Sequence, residues 1–229
     1  MAKTATGNQK KTASKALPAS GWSGNRAYID NFFEGCEKIQ RELDRNSIDR
    51  AMDVLFNAWQ QDRTVFTIGN GGSAGTASHL ASDLNKMTAL PDCRRMRVMS
   101  LVDNICLFSA LVNDDGWEYV YTEQLTNFYR EGDVLVAVSV HGGAGKDKAG
   151  AWSQNLLKAI QWVKDRGGKT IGLSGFDGGA MKEECDVCIV VPYNTTPHVE
   201  GWHVVLHHLL AFGVAERIAA HEGRRLLRS

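Results

Sequence analysis

The chain has 229 residues, of which 43% are hydrophobic and 23% are charged, enough for one globular domain with a sizeable core. Its 26 basic and 26 acidic residues cancel to a formal net charge of zero, so no overall field attracts nucleic acid or a membrane. A small-molecule ligand is therefore the expected partner.

The cysteines and the hydropathy pattern indicate the compartment. Five scattered cysteines fit reduced thiols better than a disulfide framework. Cys185 and Cys188 form a single C-x-x-C, which we interpret as structural, with a zinc or redox role as the alternative. No run approaches the ~18 apolar residues of a membrane span, and the N-terminus has no apolar signal-peptide core. We predict a cytoplasmic protein.

The first 20 residues are rich in Lys, Thr, Ser and Ala and contain no acidic residue. Such a segment supplies no buried face, so we predict a disordered basic tail over residues 1–20, with an organelle transit peptide as the alternative. Residues 21–229 are predicted to form a single domain.

Apolar residues recur at helical spacing from Asn25 to about Gln61, which predicts two helices with their break and cap at Asn46–Ser47. Beyond them, short β-branched runs alternate with helical stretches. This alternation predicts a doubly wound α/β fold, in which helices flank a five-stranded parallel sheet, with a long C-terminal helix from about Pro197 to His221. The predicted strands are Val65–Ile68, Val98–Val102, Val134–Val140, Thr170–Leu173 and Val187–Val191.

A glycine-rich turn, Gly69–Ser73, joins the first predicted strand to a helix that continues to about Lys86. Glycines allow close backbone approach, and the free amides at the start of a helix favour an anion. Since ligands of such sheets bind at the carboxyl ends of strands, we interpret the turn as a phosphate or sugar cradle. A merely tight connection is the alternative.

Histidines and carboxylates on two predicted helices form a candidate metal site. His79 and Asp83 are four residues apart and share a helix face, although the pair alone fits an ordinary surface hydrogen bond. Clusters of histidine and carboxylate suit zinc, and also iron, cobalt or nickel. The C-terminal helix adds an acid and three histidines, Glu200, His203, His207 and His208.

The run GNGGSAGTASHLASDL resembles the signature of the phosphoheptose isomerases, members of the sugar isomerase (SIS) family. The resemblance implies the SIS fold, a homotetramer with sites between subunits, and a metal-dependent aldose–ketose isomerisation of a phosphosugar. Sedoheptulose 7-phosphate is the implied substrate and D-glycero-D-manno-heptose 7-phosphate the implied product. The likeness continues through Val112–Asp114, Glu131–Leu135, Ser174–Gly179 and Val199–His208.

The resemblance also implies roles by position. A divalent metal, zinc foremost, would be bound by His79, Asp83, Glu200 and His208. Asp83 would be the base and His208 the acid that move protons through an enediol, while the metal stabilises the oxyanion. The residues implied to bind substrate are Asn70, Gly71, Gly72, Ser73, Asp83, Asn113, Asp114, Ser139, His141, Ser153 and Glu200.

The sequence departs from the family pattern in three places. Asp83 stands where the family usually has Glu, which leaves its role open between base and ligand. Glu200 stands where the family has Gln and adds a negative charge that favours a dication. The loop Ser139–Ser153 is longer than the family's compact turn and gains Lys146 and Lys148. A lid that meets an anionic group and a solvated insertion are both open interpretations of it.

The metal ligands on the last helix are also open. Helix geometry alone puts Glu200, His203 and His207 on one stripe, whereas the family alignment selects Glu200 and His208. We follow the alignment, so that His203 and His207 are expected to pack or to hydrogen-bond at a subunit interface.

Other functions are compatible with the same fold. An isomerase of a different phosphosugar would leave the same marks in the sequence. A non-catalytic SIS regulator is expected to lose the metal residues, which this chain retains. A DNA-binding sugar sensor would need a helix-turn-helix module, for which the sequence has no segment.

Overall fold

The computed structural model describes residues 21–143 and 153–226. The predicted N-terminal tail lies outside the described residues, and so do positions 144–152, which include Lys146 and Lys148 of the lengthened loop. The lid and the insertion interpretations of that loop therefore both stay predictions.

Five parallel strands form one sheet in the order β2-β1-β3-β4-β5, which confirms the predicted doubly wound fold. The strands are β1 (Thr64–Gly69), β2 (Arg97–Ser100), β3 (Val134–Val138), β4 (Lys169–Gly175) and β5 (Val187–Val191). The helices are α1 (Asn25–Glu42), α2 (Arg45–Gln60), α3 (Gly72–Met87), α4 (Ile105–Asp114), α5 (Val120–Phe128), α6 (Gln154–Lys164), α7 (Met181–Glu184) and α8 (Thr196–His221).

The sheet is the middle of three layers, with helices packed on both of its faces. Successive side chains of a strand point to opposite faces, so each strand contacts both helical layers. In β3, Val134, Val136 and Val138 pack against the layer that contains α2, α3 and α8. Leu135 and Ala137 pack against α5 and α6 on the other face. Every residue of β1 and β3 is buried, which explains why these strands are nearly continuous apolar runs.

The break between the first two helices is not at Asn46–Ser47, and that part of the sequence prediction is wrong. α1 ends at Glu42, and Asp44 caps α2 by accepting a hydrogen bond from the main-chain nitrogen of Asn46 at 3.0 Å. The Ser47 hydroxyl donates to the Asp44 carbonyl at 2.8 Å. Asp, Asn and Ser are about equally good N-caps, so composition did not distinguish three neighbouring candidates.

A buried carboxylate ties the beginning of β1 to the turn before β3. Asp133 is 2% exposed, and its two oxygens accept hydrogen bonds from the main-chain nitrogens of Thr64 and Arg130, both at 2.8 Å. Asp133→Ala leaves both donors unpaired, so we expect it to lower the free energy of unfolding by about 3 kcal/mol. Urea denaturation at a fixed protein concentration measures this change.

Asp165→Ala is the matched control for this prediction. Asp165 is exposed and accepts one side-chain hydrogen bond, from Gln161. Its replacement should change the free energy of unfolding by less than about 0.5 kcal/mol. Equal losses in the two variants would contradict a stabilising role for the buried Asp133 bonds.

The cysteines are reduced, as the sequence predicts. All five cysteines are free, and burial raises the pKa of both Cys185 and Cys188, which keeps the thiols protonated at neutral pH. Because a metal ligand or nucleophile is a thiolate, this environment supports the structural interpretation of the pair.

None of the described helices combines the length and the apolar character needed to cross a membrane.

Candidate active site and metal centre

The carboxyl ends of β1 and β3 flank the point where the strand order reverses, since the chain adds β2 on one side of β1 and β3 on the other. Doubly wound sheets bind their ligands at this point. A cavity of about 150 Å³ lies there. Six of the predicted substrate residues line it together: Asn70, Ser73, Ser139, His141, Ser153 and Glu200.

The side chain of Asn70 is fixed by a reciprocal pair of hydrogen bonds. Asn70 Nδ2 donates to Asn155 Oδ1, and Asn155 Nδ2 donates to Asn70 Oδ1, both at 2.9 Å. Asn155 is fully buried at the start of α6, and the buried hydroxyl of Tyr121 donates to the carbonyl of Gly69. The glycine turn is therefore a rigid wall of the cavity. Sequence reasoning missed Asn155 and Tyr121, although a polar residue among the apolar positions of α6 was a signal.

The loops after β3 and β4 meet through their main chains. Gly142 has φ +64, and a β-carbon on it would lie 1.9 Å from the carbonyl oxygen of Gly178. The nitrogen of Met181 donates to the carbonyl of Gly142 at 2.8 Å. Both the conformation and the contact require glycine at position 142. This contact holds the segment that carries Ser139 and His141 against the cavity.

Glu200, the fifth residue of α8, approaches the cavity from the N-terminal end of that helix. A β-carbon on Gly72 would lie 2.7 Å from Glu200 Oε1, so the glycine permits the carboxylate to sit against the start of α3. The partial positive charge at a helix N-terminus favours a carboxylate there. Glu200 and the glycine turn therefore form one continuous polar wall.

A second polar group lies further along α3 and α8. His79 and Asp83 of α3 meet His207 and His208 of α8, and one donor atom of each lies within 4.8 Å of the others. Asp83 Oδ2 is 2.9 Å from His208 Nδ1, 3.5 Å from His207 Nε2 and 3.6 Å from His79 Nε2. Donors around a tetrahedral metal with bonds of about 2.0–2.1 Å are about 3.3 Å apart. The spacing of the four side chains fits a divalent metal ion.

Unpaired buried atoms in the cluster support the same interpretation. Asp83 Oδ2 and both ring nitrogens of the fully buried His207 lack a hydrogen bond of acceptable geometry within the described part of the chain. Native proteins rarely leave such atoms unpaired, because each costs about 1–3 kcal/mol. Burial and the neighbouring imidazoles of His208 and His79 lower the pKa of His207 to about 4. The ring is therefore neutral at pH 7, as a metal ligand must be.

Glu200 is not part of this cluster, although the resemblance implies that it binds the same ion as His208. The two residues are eight positions apart on α8, a rise of about 12 Å, and only His208 of the two is grouped with the donors of α3. Metal ligation by Glu200 stays a prediction. His207, which we expected to pack or to lie at an interface, is in the cluster instead.

His203 is buried against the sheet rather than in the cluster. Its Nε2 lies 3.1 Å from the carbonyl oxygen of Ser174. Because a carbonyl only accepts, Nε2 carries a proton and donates it to this oxygen. Burial lowers the pKa of His203 to about 4, well below the ordinary value of 6.5.

This lowered pKa predicts an acid-sensitive contribution to stability. The unfolded chain binds a proton at His203 below about pH 6.5, whereas the folded chain does so only near pH 4. The contribution of His203 to the free energy of unfolding is therefore full above pH 6.5 and is lost as the pH falls toward 4. The loss from this residue is expected to reach roughly 3 kcal/mol. His203→Gln keeps a donor toward Ser174 but does not titrate. Urea denaturation between pH 4 and 8 should therefore show a flatter profile for His203→Gln, and parallel profiles would contradict the assignment.

The remaining predicted substrate residues differ in their placement. Gly71 and Gly72 lie at the start of α3, beside the cavity. Asn113 and Asp114 lie at the exposed end of α4, where Asn113 Nδ2 donates to Asp114 Oδ1 at 2.7 Å. They are not among the residues that line the cavity, so their contact with substrate stays a prediction.

Comparison with known proteins identifies the family. Residues 27–175 match the model of the SIS domain. The chain belongs to the SIS-domain family. A phosphoheptose isomerase from a Nitratiruptor species is 35% identical to this SIS-domain protein over 174 residues, which are 76% of this chain and 87% of that protein. Within the family, the chain therefore groups with the phosphoheptose isomerases.

Two further relatives define the extent of the likeness. The lincomycin biosynthesis protein LmbN from Streptomyces lincolnensis is 39% identical over 186 residues, and the match spans 80% of this SIS-domain protein but only 66% of LmbN. The solved structure of a phosphoheptose isomerase from Francisella tularensis has a TM-score of 0.73 and 20% identity, and covers 84% of this chain and 96% of that one. At this identity, the structure shows a shared fold.

Proposed function

We propose that this SIS-domain protein is a metal-assisted aldose–ketose isomerase that converts sedoheptulose 7-phosphate into D-glycero-D-manno-heptose 7-phosphate. The observation that carries the proposal is the arrangement of α3 and α8. Each helix has its N-terminal end at the cavity and carries two members of the metal cluster further along. The 35% identical phosphoheptose isomerase from Nitratiruptor supports the choice of substrate.

The phosphate group is assigned to the cavity. Hydroxyl groups of Ser73, Ser139 and Ser153 and the imidazole of His141 line it, and α3 begins at its wall. Hydrogen-bond donors and the positive end of a helix together favour a phosphate. Asn70, Gly71 and Gly72, with Asn113 and Asp114, are assigned to the sugar.

Proton transfer is assigned to the cluster. Isomerisation moves a proton between neighbouring carbons through an enediol, so it needs a base, an acid and stabilisation of a negative oxygen. His208, whose side chain is 44% exposed, is the proposed acid, and Asp83 is the proposed base. A bound divalent metal, with zinc as the proposed ion, would supply the oxyanion stabilisation. His79, Asp83 and His208 would hold it.

The proposal includes a cytoplasmic homotetramer whose sites are completed between subunits. α8 exposes four apolar side chains near the cluster, namely Val204, Val205, Leu209 and Phe212. α1 exposes Phe33, and Trp22 just before it is also exposed. Exposed apolar patches of this kind are typical of protein interfaces. Light scattering after size exclusion should give a tetramer, and a monomer would contradict this part of the proposal.

The experiment that tests the function follows product formation directly. Metal-analysed protein is incubated with sedoheptulose 7-phosphate, and NMR detects the aldoheptose 7-phosphate. We expect turnover that a chelator removes and that added Zn²⁺ restores. Chelator-resistant turnover would contradict the metal, and no turnover by metal-loaded protein would contradict the heptose substrate.

A different phosphosugar is the second candidate substrate. LmbN, which is 39% identical over the matched region, carries the name of a lincomycin biosynthesis protein and not that of a phosphoheptose isomerase. The loop Ser139–Ser153 beside the cavity also departs from the family pattern. The same NMR assay with ketose phosphates of other chain lengths distinguishes the candidates, because the preferred substrate has the highest kcat/KM.

A further inference from the structure

His207 lies in the metal cluster, although the family pattern selects only Glu200 and His208 as metal ligands on α8. We propose that His207 is the fourth protein ligand of the metal, so that one chain alone supplies a complete set and Glu200 is left to the substrate. This inference deepens the proposed function and rests on it for the use of the ion. Its metal-binding part is tested without turnover.

The surroundings of His207 are unsuitable for a side chain that only packs. Its exposure is 0%, yet neither ring nitrogen has a hydrogen bond of acceptable geometry within residues 21–143 and 153–226. An aliphatic side chain would fill this space without unpaired polar atoms. The His207 ring centroid lies 4.3 Å from that of His79 and 4.0 Å from that of His208. Three imidazoles and one carboxylate with donor atoms this close together are a set that a divalent metal ion takes, so a shared cation is the partner that suits all three rings.

The directions of the donors also favour a complete set. His79 and Asp83 are four residues apart and project from one face of α3. His207 and His208 differ by about 100° around α8, so α3 lies in the angle between them and both rings reach it. One nitrogen of each of the three imidazoles lies within 3.6 Å of Asp83 Oδ2. Two helices of one chain therefore supply four donors without help from a neighbour.

Glu200 has a different environment. Its carboxylate lies against Gly72 and lines the cavity with Asn70 and Ser139. The rise of about 12 Å along α8 separates it from His208. A carboxylate in a cavity lined by amide and hydroxyl groups accepts hydrogen bonds from sugar hydroxyls. We therefore assign Glu200 to substrate binding.

Cobalt binding to the full-length protein tests the assignment. Co²⁺ alone is the probe, its affinity is measured by competition with a chelator, and its visible d–d spectrum reports the ligand set. His207→Leu removes the nitrogens but keeps a buried apolar group, so the variant should fold, which its circular dichroism checks. We expect His207→Leu to weaken Co²⁺ binding by at least about tenfold and to change the spectrum.

Glu200→Ala is the matched variant, because Gln at this position, the family's own residue, would leave an oxygen ligand in place. It should bind Co²⁺ within about threefold of the unmodified protein, with the same spectrum, and should raise KM for the phosphosugar. The reverse pattern, in which Glu200→Ala loses the metal and His207→Leu retains it, would overturn the inference and assign Glu200 as a metal ligand. Absence of Co²⁺ binding by the unmodified protein would also overturn it. A protein that binds Co²⁺ through His207 yet isomerises no phosphosugar would overturn the proposed function and leave the metal assignment standing.

Discussion

Replacement of His208 by alanine is expected to lower the isomerisation rate by about a hundredfold to ten-thousandfold, the range of a lost acid or base. The same change removes a donor whose Nδ1 lies 2.9 Å from Asp83 Oδ2, so the affinity for Zn²⁺ should fall as well. NMR of product formation measures the rate, and metal analysis after dialysis measures occupancy. A loss of rate with full metal occupancy would assign His208 to proton transfer alone.

His221→Ala is the control for this variant. His221 is on the same helix, but it is exposed and its ring packs edge-on against Phe56 and Trp59, far from the cluster. The substitution should cost a little stability and leave both turnover and metal content unchanged. A comparable loss of turnover in His221→Ala would contradict a specific role for His208.

Gly142→Ala is expected to disrupt the phosphate side of the cavity. A β-carbon 1.9 Å from the Gly178 oxygen forces the loops after β3 and β4 apart, and a left-handed conformation adds a further cost. Overpacking and conformational strain together should lower the free energy of unfolding by about 3 kcal/mol or more. Because the displaced segment carries Ser139 and His141, KM for the phosphosugar should rise at least about tenfold. Urea denaturation and steady-state kinetics measure the two effects.

Gly223→Ala is the control that measures the cost of a left-handed conformation for alanine without the close contact to another loop. Gly223 has φ +65, close to that of Gly142, but beyond its two chain neighbours no atom of the described residues lies within 4 Å of a β-carbon built on it. Gly223→Ala should therefore lower the free energy of unfolding by only about 1 kcal/mol and leave KM for the phosphosugar unchanged. Similar losses of stability in the two variants would show that the contact between the loops contributes nothing.

The fold was predictable because its signals are local and repeated. Continuous apolar runs such as Val134–Val138 predict buried parallel strands, and each of the five ends within two residues of its expected position. The boundary near Asp44 was not predictable to the residue, because Asp44, Asn46 and Ser47 are all competent caps.

The site was predictable only in part, because it depends on distances between segments. The turn Gly69–Ser73 and the pair His79 and Asp83 could be identified from spacing within one helix or turn. The choice between His207 and Glu200 depends on how α8 is rotated against α3, which no local pattern specifies. Asn155 was missed for the same reason, since its partner Asn70 lies on a different element.

The cluster also joins two segments that are distant in the chain. Asp83 and His207 are separated by about 120 residues, so an ion bound to both would act as a removable crosslink that reduces the entropy of the unfolded chain. Only the folded chain presents the four donors together, so binding would stabilise the docking of α8 on α3. Metal supply would then govern how long the protein survives proteolysis as well as how fast it works.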